Sequence, residues 1–230
     1  MKMTANPNVA VVATLVSETS RAAILTVLLD GRFHPASELA YMAGIKPQTA
    51  SFHLAKMVDA KIVSVEKQGR HRYYGIRNQE VAQIMESLLS IAPPIEIKSL
   101  KQASENTAIR FARTCYDHPA GNFGVLLTDS LVKMGVINEE KQGFIVTEKG
   151  EGFFSNFQID LEKLKKKRRS FSHKCLDWSE RRYHLGGALG NALLERILEL
   201  NWIQRMQKTR EIKITIEGKK GFKETFSFDI

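Results

Sequence analysis

The sequence predicts a mainly α-helical protein with small β wings, an α+β fold divided into two domains. Apolar residues recur at helical spacing through most of the first 92 residues. One pair of alternating segments around a glycine interrupts them and predicts a hairpin. The double proline Pro93-Pro94 ends a helical pattern, and beyond it one sequence pattern occurs twice. We therefore expect an N-terminal domain over residues 1–92 and a duplicated C-terminal domain over residues 93–230.

Two helical patterns open the N-terminal domain. Apolar positions 9, 12, 15 and 16 share one face of the first pattern. The second pattern extends to about residue 29, and a hydroxyl at Thr19 or Ser20 is expected to cap it. The sequence therefore predicts two short helices before the segment around which this domain is organised.

That segment extends from Ala36 to Ile76. Residues 37–43 form a short helical pattern that Gly44 closes, and Pro47 suits the first turn of a second helix. A helix, a short turn with glycine and a second helix make the helix-turn-helix pattern. The face of the second helix opposite its apolar stripe carries polar or short side chains: Gln48, Thr49, Ser51, His53 and Lys56. Such a face can hydrogen-bond base edges or phosphates in the major groove of DNA.

A basic hairpin is predicted directly after this helix. Residues 62–67 and 70–76 alternate as strands do, around a turn at Gln68-Gly69. Cations cluster at the predicted tip: Lys67, Arg70 and Arg72. A hairpin of this kind beside a recognition helix is the wing of a winged helix, placed to contact phosphates. We therefore expect the wing cations and Lys56 to hold phosphates, and the other polar residues of the helix face to contact bases.

Residues 51–76, S-F-H-L-A-K-M-V-D-A-K-I-V-S-V-E-K-Q-G-R-H-R-Y-Y-G-I, resemble the ArsR family of bacterial winged helix-turn-helix transcriptional regulators. The likeness covers roughly residues 9–92, and C-L-D-W-S-E-R-R at 175–182 is similar to the long form with a duplicated C-terminal domain. The resemblance implies a sequence-specific regulator, a repressor in preference to an activator, that binds an inverted-repeat operator as a homodimer. In that family the first helix and the helix after the wing form the dimer interface. The seam it implies here is Val12, Leu15, Val81, Ile84, Met85 and Leu88. Packing of this stripe against the chain's own second domain is the alternative, and both can hold.

The duplicated pattern places a cysteine, an aspartate, a histidine and two glycines in the same order in each copy. The two sets are Cys115, Asp117, His118, Gly121 and Gly124, and Cys175, Asp177, His184, Gly187 and Gly190. The second copy holds six extra residues between its cysteine and its histidine. Each copy continues from a helix into alternating strands, which predicts two winged-helix-like repeats packed about a pseudo-twofold axis. The glycines are expected inside helical patterns, where they would allow close approach between helices.

Two interpretations of the cysteines stay open. Cys115 falls in a helical apolar stripe, and Cys175 precedes possible helix caps at Asp177 and Ser179, so both can be inert core residues. Alternatively, pseudo-twofold packing brings Cys115, His118, Cys175 and His184 together, a set that suits zinc or another soft metal. Without metal, the two cysteines would form a thiol switch.

Any effector is expected in the C-terminal half or at the dimer interface. The resembled family often places cysteines in the first helix of the helix-turn-helix or histidines on the dimer helix, and neither occurs here. A small organic effector near Trp178, Tyr183 and Trp202 is as good a hypothesis as a metal. No cofactor is required for DNA binding itself.

Composition narrows the function classes. The net charge of +9 favours an anionic partner such as DNA. No run of 18 apolar residues and no signal-peptide core occurs, so we expect no membrane span and a cytoplasmic protein. No catalytic motif orders the cysteines, histidines and aspartates, which makes an enzyme with an accessory DNA-binding module the weaker alternative.

Overall fold

The computed structural model describes residues 7–230, which form eleven α-helices and eleven short β-strands. The predicted α+β class, mainly helical with small sheets, is confirmed. Contacts divide the chain into two compact units, with the division between Met85 and Glu86. Among the described helices, none is by itself long and apolar enough to cross a membrane, and only the bent pair α1 and α2 meets the length and composition test jointly.

The N-terminal unit is a helix-turn-helix followed by a β-hairpin. Its helices are α1 (Val9–Ser17), α2 (Thr19–Leu28), α3 (Ala36–Met42), α4 (Pro47–Asp59) and the start of α5 (Gln79–Ile91). Its strands are β1 (His34–Pro35), β2 (Val63–Gln68) and β3 (His71–Ile76), which form one antiparallel sheet in the order β1-β3-β2.

Local sequence explains the helix-turn-helix geometry. Gly44 has φ +67°, a left-handed conformation that suits glycine at the end of α3. Pro47 is the first residue of α4, as predicted. Ala50, Leu54 and Met57 line the buried face of α4 in the core of this unit. One detail differs from expectation: the Glu18 carboxylate caps α2, because it accepts hydrogen bonds from the amides of residues 20 and 21.

The C-terminal unit has a repeated order of elements. It begins with the end of α5 and α6 (Leu100–Phe111), and α9 (Leu161–Lys165) separates its two copies. The first copy is β4 (Arg113–Cys115), β5 (His118–Ala120), α7 (Gly121–Lys133), β6 (Ile137–Glu139), β7 (Phe144–Val146) and α8 (Glu148–Asn156). The second copy is β8 (His173–Leu176), β9 (Tyr183–Gly186), α10 (Gly187–Glu199), β10 (Ile203–Arg205), β11 (Ile212–Ile214) and α11 (Ile216–Phe226). Each copy is thus hairpin, helix, hairpin, helix, and its interpretation as a winged-helix-like repeat stays a prediction.

Both copies fix the start of their last helix in the same way. The hydroxyls of Thr147 and Thr215 accept hydrogen bonds from the amides of Gly150 and Gly218, at 3.0 and 2.9 Å. A Cβ atom on either glycine would lie 2.0 Å from a backbone carbonyl oxygen of the same copy. A side chain is therefore excluded at both positions, and the threonine and glycine occur together because the turn requires both.

The first hairpins of the two copies pack against each other's helices. Helix α7 packs against β9, and α10 packs against β5. A Cβ on Gly124 would lie 3.7 Å from the Cβ of His184, and one on Gly190 would lie 3.1 Å from the Cβ of His118. The contacts are therefore reciprocal. One apolar core, which includes Phe123, Leu131, Leu189, Leu194 and Phe222, draws on both copies.

Two expectations about this unit were wrong. Gly121 and Gly187 do not lie in helix interiors: they are the first residues of α7 and α10, directly after strands β5 and β9, with φ of +77° and +86°. They permit a sharp strand-to-helix turn, since a Cβ on either would clash with backbone oxygens less than 3 Å away. Likewise, Cys115 does not belong to a helical stripe, because α6 ends at Phe111 and Cys115 lies on β4.

Candidate nucleic-acid interface and cysteine-histidine cluster

Helix α4 presents most of the predicted DNA-contacting residues to solvent. Gln48, Ser51 and Lys56 are exposed, and Thr49 is half-buried at the start of the helix. The opposite face is buried in the core of the unit. An exposed polar face on the second helix of a helix-turn-helix is the surface that enters the major groove.

His53 does not lie on the exposed face of α4. Its side chain is buried, with 8% relative exposure. Its Nδ1 atom lies 3.3 Å from Arg21 Nη1, and its Nε2 atom lies 3.4 Å from Glu18 Oε2. Because both ring nitrogens face partners of the same unit, His53 braces α4 against the start of α2. The expectation that it contacts bases is therefore corrected.

An exposed aromatic residue beside His53 escaped the sequence analysis. Phe52 is 57% exposed, and the Lys56 ammonium lies 4.3 Å from the centre of its ring. An apolar ring on this face can contact a thymine methyl group. The signal in the sequence was the single large apolar residue among the polar positions of the helix.

Strands β2 and β3 form the predicted wing. Lys67 pairs with Arg72 across the hairpin, and Gln68 pairs with His71. The two-residue turn is Gly69-Arg70, one position later than predicted, and Gly69 supplies φ +59°. All the predicted wing cations are exposed: Lys67, Arg70 and Arg72. The tip is therefore a concentrated, solvent-accessible positive charge.

The cysteines and histidines of the C-terminal unit meet in one buried cluster. Cys115 pairs with His118 across the β4–β5 hairpin, and Cys175 pairs with His184 across the β8–β9 hairpin. One ligand atom from each of the four side chains lies within 4.8 Å of all the others. The two Sγ atoms are 3.6 Å apart, and the two Nε2 atoms are 3.2 Å apart. The longer spacing in the second copy only lengthens the hairpin loop, so it leaves the cross-strand pair intact.

Each histidine of the cluster faces an aspartate of its own copy. His118 Nδ1 lies 3.3 Å from Asp117 Oδ1, and His184 Nδ1 lies 3.4 Å from Asp177 Oδ2. Each aspartate in turn faces an arginine: Arg169 bonds Asp117, and Arg113 Nη2 donates to Asp177 Oδ2 at 2.8 Å. The imidazoles are therefore oriented from behind by charged carboxylates.

The helices predicted to form a dimer seam expose apolar side chains. Val12, Ile84 and Leu88 are exposed, and Leu15 and Val81 are half-buried. Helix α1 buries none of its residues. Met85 is the exception, with only 5% exposure. Because it is already buried within the chain, its assignment to the seam is corrected.

Comparisons with known proteins agree with the N-terminal geometry. Residues 16–66 match a family described as a helix-turn-helix domain. The chain is 53% identical over 225 residues to the uncharacterized HTH-type transcriptional regulator YdfF of Bacillus subtilis strain 168, across 98% of this chain and 100% of that protein. The chain belongs to the HTH-type transcriptional regulators. The predicted regulator class, with a DNA-binding helix-turn-helix, is confirmed.

Several solved structures are similar to part of this regulator. NolR from Sinorhizobium fredii is 24% identical over 36% of this chain and 82% of its own, with a TM-score of 0.34. The homodimeric winged helix-turn-helix DNA-binding domain Mb0332 from Mycobacterium bovis, described as a possible ArsR-family regulator, is 20% identical over 42% of this chain and 100% of that fragment, with a TM-score of 0.34. The family assignment depends on the Bacillus relative, because these likenesses cover less than half of the regulator.

The aspartates of the cluster are charged at neutral pH. Burial would raise the pKa of Asp117, but hydrogen bonds from His118 and Arg169 outweigh it and lower the pKa to about 2. Burial also opposes ionisation of Asp177, yet Arg113 and His184 hold its pKa far below the ordinary value. The regulator thus places two fixed negative charges directly behind the two imidazoles.

The other titratable groups of the cluster are shifted as well. The contact with Cys175, followed by burial, raises the pKa of the Cys115 thiol. Burial would lower the pKa of His118, but Cys115 and Asp117 outweigh it and raise the pKa to about 10. A third imidazole, His173, packs edge-on at 6.0 Å from the His118 ring centre. Burial and the neighbouring charges lower its pKa to about 4.

The aromatic residues suggested as an organic-effector pocket have different partners. Trp202 packs with Phe157 and Phe222 in the core, at 5.8 and 5.2 Å between ring centres. Arg113 lies over the Trp178 ring at 4.2 Å, and Lys174 lies 5.3 Å from the Tyr183 ring centre. Each ring thus has its own packing partner, and an organic-effector pocket near them stays a prediction.

Proposed function

We propose that this regulator is a sequence-specific repressor that binds an inverted-repeat operator as a dimer and is released by an effector bound in its C-terminal half. The observation that carries the proposal is the exposure of both DNA-contacting features of the N-terminal unit, the polar face of α4 and the cationic tip of the wing. The helix face supplies base readout, and the wing supplies phosphate contacts. A repressor of this kind acts by covering a promoter.

Gel-shift titration on DNA upstream of its own gene tests the DNA-binding proposal. We expect binding to that fragment to be at least about 1,000-fold tighter than binding to unrelated DNA of equal length and salt. An inverted repeat with half-sites one helical turn apart should lie inside the protected region. Equal affinity for both DNAs would contradict a sequence-specific operator.

The dimer proposal is supported by the exposed apolar residues of α1 and α5. Ile84 is 53% exposed in the described chain, and a dimer seam on α5 would bury this apolar side chain. Ile84→Lys would place an unpaired charge in that seam at a cost of about 3–5 kcal/mol. We expect light scattering to show monomer and operator affinity to fall strongly.

The matched control is Gln83→Lys, which adds the same charge at the neighbouring exposed position of α5. It should remain dimeric and bind the operator as the unchanged protein does. A folded, dimeric Ile84→Lys protein would show that α5 does not form the seam.

A further inference from the structure

We propose that Cys115, His118, Cys175 and His184 bind one metal ion of the zinc class in tetrahedral geometry. The site is built entirely inside the C-terminal unit and is measured without DNA, so it does not depend on the proposed function. Two thiolates and two imidazoles are the donor set of closed, four-coordinate zinc sites.

The distance between the two sulfurs and the distance between the two imidazole nitrogens match such a site. At Zn–S of about 2.3 Å, tetrahedral angles put two sulfurs about 3.8 Å apart, and Zn–N near 2.05 Å puts two nitrogens about 3.3 Å apart. The cluster has its sulfurs 3.6 Å apart and its Nε2 atoms 3.2 Å apart. The four side chains therefore surround a space that fits one ion.

Burial makes a purely structural role for this cluster costly. The four side chains are between 1% and 9% exposed. When both rings are neutral and their Nδ1–H groups face the aspartates, two Nε2 lone pairs face each other at 3.2 Å, so the buried pair needs either one added proton or a cation between the rings. A metal ion of charge +2 satisfies all four donors together. The two thiolates neutralise the ion after releasing their protons to solvent.

The surroundings provide the outer partners that zinc sites use. Metal-bound histidines generally direct their other ring nitrogen to a carboxylate or a carbonyl group. Asp117 and Asp177 occupy this position behind His118 and His184. Arg169 and Arg113 balance their charges, so the whole assembly is close to neutral. A disulfide between the cysteines would need neither the imidazoles nor the carboxylates.

Metal binding would join segments that are distant in the sequence. The cysteines are 60 residues apart, and each comes from a different copy of the repeat. Beyond the cluster, the Thr114 amide of β4 donates to the Arg210 carbonyl oxygen at 2.9 Å, and the Arg210 side chain bonds Glu86 on α5. The ion would therefore stabilise the arrangement of the two copies around this network.

Cobalt titration of the reduced full chain tests the site. We expect one Co²⁺ per chain, with a thiolate-to-cobalt charge-transfer band and the visible bands of tetrahedral cobalt. One equivalent of Zn²⁺ should displace the cobalt and abolish both sets of bands. Removal of the zinc with a chelator should lower the melting temperature of the protein. Failure of the reduced protein to bind stoichiometric Co²⁺ or Zn²⁺, or an octahedral cobalt spectrum, would overturn the proposal.

Substitutions assign the ligands. Cys175→Ser should weaken Zn²⁺ binding by more than about 100-fold, the upper value for loss of an outer partner. His173→Asn is the matched control, because it removes a neighbouring imidazole that does not belong to the four. It should still bind one ion. Circular dichroism establishes that each variant is folded. Retained binding in Cys175→Ser, or loss of binding only in His173→Asn, would contradict the assigned ligands.

Discussion

The wing and the two Cys-His hairpins are the same kind of element in opposite environments. The β2–β3 hairpin exposes Lys67, Arg70 and Arg72, whereas the β4–β5 and β8–β9 hairpins bury their cysteines and histidines. Solvent screens the positive charges of an exposed tip, and such a tip suits binding to a large polyanion such as DNA. A buried polar cluster cannot use solvent and needs partners at fixed positions. Burial, more than hairpin sequence, thus separates the proposed DNA-contacting element from the proposed ion-binding one.

The largest expected effect is the loss of a buried charge partner in the C-terminal unit. Arg113 and Asp177 are almost fully buried and paired at 2.8 Å. Arg113→Met would leave Asp177 without its main counter-charge, so the free energy of unfolding should fall by about 3–5 kcal/mol. Urea unfolding followed by tryptophan fluorescence measures this, because both tryptophans lie in the C-terminal unit.

The control for this prediction is Arg182→Met. Arg182 pairs with Asp129 at the surface, where both side chains are largely exposed. The cost should stay below about 1 kcal/mol. Equal losses in the two variants would mean that burial does not determine the strength of these pairs.

On the exposed face of the N-terminal unit, substitution of a base-contacting residue and of a phosphate-contacting residue should affect DNA binding differently. Gln48→Ala removes a side chain that can bond one base pair, so operator affinity should fall by about 1–3 kcal/mol and sequence preference should relax at one position. Competition binding against operators changed one base pair at a time measures both.

Arg72→Ala provides the contrast to Gln48→Ala. It should weaken binding to all sequences alike and reduce the slope of log affinity against log salt by about one. If Gln48→Ala also weakened every sequence equally, α4 would not be the element that distinguishes bases.

Around the buried cluster, an outer partner should matter less than a ligand. Asp117→Asn keeps the shape of the side chain but removes the charge behind His118. Zinc affinity, measured by chelator competition, should fall by about 10- to 100-fold. An unchanged affinity would show that Asp117 does not support the site.

The smallest expected effect is a pH dependence in the N-terminal unit. Burial would lower the pKa of His34, but the carboxylates of Asp30 and Glu38 outweigh it and raise the pKa above its ordinary value. The charged form therefore contributes stability that is fully present below a pH of about 6.5 and is lost as pH rises through the raised pKa. Nuclear magnetic resonance titration of the His34 ring should give a pKa above about 6.5. A pKa below this value would mean that the charged form of His34 destabilises the folded protein.

Sequence alone predicted the elements whose signals are local. The glycine turn before Pro47 and the basic wing follow from spacing and residue type, and the structure has both. Prediction from the sequence failed where tertiary contacts determine the position of a side chain. His53 has the polarity of a DNA-contacting residue, yet Glu18 and Arg21 hold it inside. Met85 belongs to the apolar stripe of α5 but is already buried.

The four residues of the cluster could be predicted from the sequence, but their arrangement in space could not. The duplication grouped the cysteines and histidines, whereas Cys175 and His184 are nine residues apart, a longer separation than zinc ligands on one segment usually have. Cross-strand pairing removes that objection, because a hairpin brings residues together regardless of loop length. The supporting role of Arg113 had no signal in the sequence, since its partner Asp177 lies 64 residues away.

The most direct test is one native mass spectrum of the full chain with its upstream DNA fragment and Zn²⁺. The exposed interface and the buried cluster predict one complex of two chains, one duplex and two zinc ions. A complex of the same duplex with a single chain would contradict the dimeric interface. Two chains on DNA without zinc, at saturating metal, would contradict the buried site.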